Sequence, residues 1–223
     1  MRLAILSIGL IAAVVAYQKL TPSSGQTFKT QKLTVQAKAE RVVLAWSGPI
    51  AEPMSREIAA ALLSRKDDPR PIVLSLNSPG GSIHEGREVM RALRDAGRLR
   101  RIDTRVENGG VCASMCVAIY LLGTERTADP GARFMFHEAS LRLPAEPGSG
   151  RVARAADGPV RTVVSAPFTD ILFERDFDGP RVNARWLRDM RRQIVGRDVW
   201  VSARQLVDEG SGMVDALSPT VPR

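Results

Sequence analysis

The sequence predicts an α/β domain built on a largely parallel sheet, and three observations carry that prediction. From Arg41 onward, short β-branched or apolar runs alternate with stretches of helical spacing. One run, Ile72–Leu76, is almost continuously apolar, as a strand covered on both faces must be. Two runs end in glycine-rich breaks that lead straight into a helical stretch.

The chain opens with Arg2 and then a charge-free stretch, Leu3 to Ala16, softened only by Ser7 and Gly9. Val14 and Ala16 are the small residues a signal peptidase reads, so residues 1–16 are expected to be a secretion signal or an N-terminal anchor. The rest would then be exported, either periplasmic or attached to a membrane through residues 3–16. Residues 17–40 hold four of the five lysines among Gly, Ser, Thr and Gln, and read as a flexible polar stem with an extended piece near Leu33–Val35. Residues 41–217 are expected to form the domain, with 218–223 a tail.

Within the domain, Val42–Ala45 reads as a strand closed by Gly48 and Pro49. Met54–Leu63 reads as a helix with Ile58, Ala59, Leu62 and Leu63 on its apolar side. Pro71 opens the strand Ile72–Leu76, which Asn77-Ser78-Pro79-Gly80-Gly81 ends. The helix Ile83–Ala96 follows, with Val89, Met90 and Leu93 as its stripe, and Ile102–Val106 is the next strand. Residues 141–165, rich in Pro, Gly and Arg, predict a long irregular loop. A last amphipathic helix, near Val182–Ile194, carries Trp186, Leu187, Met190 and Ile194 on one face.

A net charge of +8 and a pI near 10.3 invite a nucleic-acid partner. The arginines are scattered among the acids in runs no longer than two, and only 5% of residues are aromatic, so none is expected. Two cysteines and two histidines in no ligand-like spacing predict no metal. Neither glycine break matches a phosphate loop, and no lysine follows Lys66, so no cofactor is expected.

The second break is Gly109-Gly110-Val111-Cys112-Ala113-Ser114-Met115-Cys116, followed by an apolar run to Leu122. Small residues crowd one serine at a strand-to-helix junction, where backbone N–H groups are unpaired; this is the setting a nucleophile and an oxyanion require. Phe134-Met135-Phe136-His137 then reads as a strand delivering the last histidine of the chain, a candidate general base. His84, just after the first break, reads as a groove or surface residue.

Several of these segments, in order, resemble the Clp protease proteolytic subunit: Leu76 to Gly81, Ala113-Ser114-Met115, Gly123 through Arg126 to Pro130, Met135-Phe136-His137, and later Arg197-Asp198, Ser202-Ala203 and Gly212-Met213-Val214-Asp215. The resemblance implies the ClpP/crotonase fold, a spiral of ββα units. It implies Ser114 as nucleophile, His137 as base, Asp198 as the acid orienting it, and the N–H groups of Gly81 and Met115 as oxyanion hole. It also implies peptide or unfolded-protein substrates and a homo-oligomer. Asp170 and Asp208 are the alternatives for the acid. Exported ClpP-like proteins fit best, and outside the cytoplasm no ATP-driven partner is expected.

Cys112 and Cys116 depart from the usual Clp sequence. They are open to two readings, a disulfide bracing the nucleophile turn or two buried thiols. A Ser-Lys peptidase is disfavoured because no lysine follows Ser114, and an acyl-CoA enzyme because coenzyme A is cytoplasmic. The rival from another class is a catalytically silent binding protein that keeps the groove.

Overall fold

A computed structural model describes residues 31–144, 153–155, 158–164, 176 and 181–218. The expected signal at 1–16 and most of the stem, along with Asp170 and the tail beyond residue 218, lie outside the described residues.

The sheet forms first from an antiparallel edge pair, β1 (Lys32–Ala37) with β2 (Val42–Ser47). Lys32–Ala37, expected within the flexible stem of residues 17–40, is instead a fully paired strand. Its β-branched Thr34 and Val35 were legible as extended chain, but the partner was not. From β2 onward the pairing is parallel, through β3 (Ile72–Asn77), β4 (Ile102–Val106), β6 (Arg126–Ala128) and β12 (Ala216–Leu217). Helices α1 (Met54–Leu63) and α2 (Ile83–Gly97) make the crossovers, and pack with the inward residues Val42, Leu44, Trp46, Ile72 and Leu74 in one core.

The face of α1 differs by one position from that expected. Met54, Ile58, Ala61 and Leu62 are buried, whereas Leu63 is 69% exposed. Ile58 recurs at i+3 and i+4, so the stripe runs through 61 and 62, not 59 and 63.

A second sheet, ordered β11–β7–β5, stands at the C-terminal ends of the first. β5 (Val111–Ala113) runs parallel to β7 (Arg133–Phe136), and β11 (Val199–Ser202) pairs antiparallel with β7. A bridge between Ser78 and Cys112 ties the end of β3 to β5. The chain thus passes repeatedly from the large sheet to the small one and then into a helix: β4, β5 and α3 (Met115–Tyr120) form one such turn. This is the ClpP-type ββα arrangement.

Two later elements support the small sheet. Helix α4 (Ala184–Gln193) starts on an Asn183 cap and buries Trp186, Leu187 and Met190, and Trp186 meets Phe136 edge-to-face at 5.6 Å between centroids. Such a pair contributes about 0.5–1.5 kcal/mol beyond area burial. Helix α5 (Ala203–Asp208) follows β11 through a capping box on Ser202 and Gln205.

The described residues within 141–165 do not form the irregular loop expected there. β8 (Ser140–Pro144), β9 (Ala153–Ala155) and β10 (Gly158–Val164) form a three-stranded antiparallel sheet. Val160, Thr162, Val163 and Val164 have strong strand propensity, which the intervening Pro and Gly obscured.

Candidate active site

The site is assembled where the two glycine breaks meet the small sheet, outside the C-terminal ends of parallel strands, the position where open α/β sheets hold ligands. Ser114 follows β5 and His137 follows β7, neighbouring parallel strands registered Ala113 to Met135. Both side chains therefore leave the sheet at the same end. His137 Nε2 lies 2.7 Å from Ser114 Oγ. In the tautomer with its proton on Nδ1, Nε2 accepts the serine hydroxyl hydrogen, the arrangement a general base needs.

Ser114 sits at φ 55°, the single non-glycine residue of positive φ among those described. A side chain there costs on the order of 1–3 kcal/mol, so the surroundings must impose it. Ser114 N donates to Met135 O at 2.9 Å, Val117 N donates to Ser114 O at 2.9 Å, and Ala113 N donates to Ser78 O at 3.0 Å. Gly80, at φ 90°, supplies the room: a Cβ on it would stand 2.7 Å from both Ala113 O and Ser114 Cβ. The result is a sharp strand-to-helix turn that lifts the hydroxyl out of the sheet.

The two backbone N–H groups expected to form the oxyanion hole have no acceptor among the described residues. Met115 is the first residue of α3, whose N–H has no intrahelical partner. Gly81 bridges Ile50 through its neighbours: Ile50 N donates to Gly80 O and Ser82 N donates to Ile50 O, which turns Gly81 N–H away from that ladder. Gly81 must be glycine, since a Cβ would collide with Ile50 O at φ 151°.

Asp198 is brought alongside but is not bonded. Antiparallel pairing of Val199 with Phe136 sets the preceding residue, Asp198, across from His137. Its side chain is exposed, however, and makes no hydrogen bond to the ring among the described residues. Glu138 Oε2 accepts from Gly196 N at 2.8 Å, so the loop that carries Asp198 is tied to the residue after the histidine. Asp208 is exposed at the end of α5, and His84 is exposed on α2.

Cys112 and Cys116 are joined as a disulfide, Cα atoms 5.2 Å apart. Cys112 lies in β5 and Cys116 in α3, so the bridge spans the serine turn from strand to helix.

Two supporting residues escaped the sequence reading as individuals. Asn77 Oδ1 accepts from Val111 N at 3.1 Å and fastens the start of β5; its signal was the Asn-Ser-Pro-Gly-Gly motif. Gly80 was visible in the same motif, but only the fold shows that the serine fills its missing side chain. Among the described residues, no cluster of His, Cys, Asp and Glu could hold a metal. A cavity of about 400 Å³ lies elsewhere, on the outer face of β1–β3 beside residues 107–110, and touches neither Ser114 nor His137.

Fold and site together define an α/β protein of the ββα-spiral type with a paired serine and histidine at a strained strand-to-helix turn. The Clp protease family model matches residues 25–146, more than half of the chain. ATP-dependent Clp protease proteolytic subunit 3 of Streptomyces coelicolor is 36% identical over 115 residues, 50% of this chain and 51% of that protein. This chain thus spans about half the length of that relative. Subunit 1 of Chlamydia pneumoniae is 27% identical over 194 residues, covering 84% and 93%. An ATP-dependent Clp protease proteolytic subunit-like protein of Streptomyces coelicolor is 30% identical over 184 residues, covering 81% and 79%. The chain belongs to the Clp protease family.

Proposed function

We propose that this protein is a serine peptidase that cleaves peptides or unfolded protein segments outside the cytoplasm without ATP. The observation that carries the reading is the 2.7 Å contact of His137 Nε2 with Ser114 Oγ at a turn held in a costly conformation. His137 takes the hydroxyl proton as Oγ attacks the scissile carbonyl. The new oxyanion turns toward the N–H groups of Met115 and Gly81, and the protonated His137 then gives its proton to the leaving amine. Water repeats the sequence on the acyl-enzyme and restores Ser114. Asp198, across from His137, turns its carboxylate to the ring when substrate binds, since catalytic hydrogen bonds often form fully only in the substrate complex.

Export is supported by the charge-free stretch Leu3–Ala16 and by a disulfide of the kind that persists in oxidising compartments. The unengaged carboxylate of Asp198 favours the second reading, a binding protein that has lost turnover.

Fluorophosphonate labelling of the purified protein, beside Ser114→Ala and His137→Ala, separates the two. Labelling of the wild type alone is the expected result. Folded wild-type protein that labels no better than Ser114→Ala would replace the peptidase with the binding protein.

A further inference from the structure

We infer that the Cys112–Cys116 disulfide is a positioning group for the nucleophile, which makes reactivity of Ser114 depend on an oxidised cystine. The inference rests on the serine-peptidase reading and adds a redox dependence to the same site.

The argument starts from where the bridge lies. It joins residues four apart, with Ser114 at the midpoint of the closed loop. A disulfide that restrains the unfolded chain gains more as its loop lengthens, so this one is among the least effective placements for holding a domain of this size together. What so short a loop can restrain is the turn inside it. That turn holds Ser114 at φ 55°, a conformation its own side chain opposes.

Each hydrogen bond on the turn holds it at one point and does not span it; at its centre, Ser114 N donates to Met135 O. Ala113 N bonds back to Ser78 O on the strand side, and Val117 N bonds to Ser114 O on the helix side. The cystine alone connects the two sides directly. Both cysteines are fully buried, and both belong to the main core. Cys112 is also the residue that bridges Ser78, beside Gly80, the glycine that accommodates the serine. Holding β5 and the first turn of α3 at a set separation therefore sets three things at once: the direction of Oγ toward His137, the first N–H of α3, and the packing of the serine on Gly80.

Reduction consumes one dithiol per bridge: the cystine takes two electrons and two protons, leaving two thiols, and dithiothreitol departs as its cyclic disulfide. Without the bond, the two sides of the turn can relax toward an ordinary backbone conformation, and the oxygen leaves its contact with Nε2.

The test uses the full chain, oxidised, then reduced with dithiothreitol under mild urea to expose the buried bond, and returned to buffer with two thiols confirmed by titration. The Cys112→Ala/Cys116→Ala variant stands in if the reduced protein does not recover its fold. Fluorophosphonate labelling gives a maximal rate and a concentration dependence, and amide hydrogen exchange is followed at Ser114 and Val117. We expect the maximal rate to fall by about tenfold or more, as small misplacements of a reacting atom do. The half-saturating concentration should stay within about twofold, exchange should accelerate at Ser114 and Val117 but not in β2 or α4, and glutathione disulfide should restore the rate. An unchanged labelling rate in protein with two titrated thiols overturns the inference. So does exchange that accelerates throughout the domain, since the bridge would then be a general staple. If the oxidised protein does not label at all, the peptidase reading fails, and local exchange by itself decides whether the cystine holds the turn.

Discussion

Ser114 and Gly80 form one unit: the serine can occupy its strained turn only because the residue facing it has no side chain. Gly80→Ala introduces a methyl group 2.7 Å from Ser114 Cβ and places a side chain at φ 90°. The expected cost is about 1–3 kcal/mol of stability, together with a loss of serine labelling of about tenfold or more, because relief of the clash must move the serine. Urea denaturation and labelling on the same preparation would show it. Labelling equal to wild type would mean that the turn yields elsewhere and that the close fit is incidental. Asn77 is a comparable case, with no chemistry of its own, since its side-chain carbonyl holds the start of the strand that leads into Ser114.

The strand β7 organises the site at the next scale. It lies between β5, which carries Ser114, and β11, which Asp198 precedes, so one three-stranded sheet aligns all three residues of the expected triad at one end. Phe136, under the histidine, is held by Trp186 of α4, which explains why a helix far along the sequence matters to the site. The arrangement predicts a role for Asp198 that its exposed carboxylate does not yet perform. Asp198→Asn should lower the maximal rate of acylation by about tenfold or more near neutral pH, leaving the half-saturating concentration unchanged, because the acid orients the imidazole and stabilises its protonated form. A rate unaffected by the substitution would define a serine–histidine dyad.

The molecule as a whole is closed by an ion cluster at the edge of the large sheet where β6 meets β12. Arg126 is only 2% exposed; it donates to both carboxylate oxygens of Asp215 and to Gly212 O, while Arg181 donates to Asp215 from the other flank. The cluster locks the C-terminal strand β12 beside β6. Partial burial pushes the Asp215 carboxyl upward, but the hydrogen bonds and charge of Arg126, with the charge of Arg181, outweigh it and hold the group below the usual carboxylate range. A carboxyl lowered in the folded state contributes stability that is fully present above its unfolded value, near 3.9, and is lost as pH falls through the folded value. Asp215→Asn leaves the buried guanidinium without its counter-charge and should cost about 3 kcal/mol at pH 7, a fall in Tm of roughly 6–12 °C. Thermal melts from pH 7 to 2 should show the gap between wild type and variant narrowing below about pH 4. A gap independent of pH would show that the carboxylate charge is not what holds the cluster.

Much of this was legible in the sequence because periodicity and local chemistry are local properties. The bounds of α1 and β4, the alternation that forms a parallel sheet, and the two glycine breaks all follow from spacing and from what glycine permits. The serine in its crowd of small residues, and the single histidine of the later chain, were legible for the same reason. What only the tertiary structure decided depends on residues distant in sequence. β1 was hidden because a strand is defined by its partner, and the sheet formed by β8–β10 was hidden because Pro and Gly spoke louder than its valines. The exposed face of α1, the choice of disulfide over thiols, the fit of Ser114 against Gly80 and the unengaged state of Asp198 are all set by how elements pack. Sequence spacing specifies which groups a turn presents; only packing sets the few tenths of an ångström and the bond directions on which their chemistry depends.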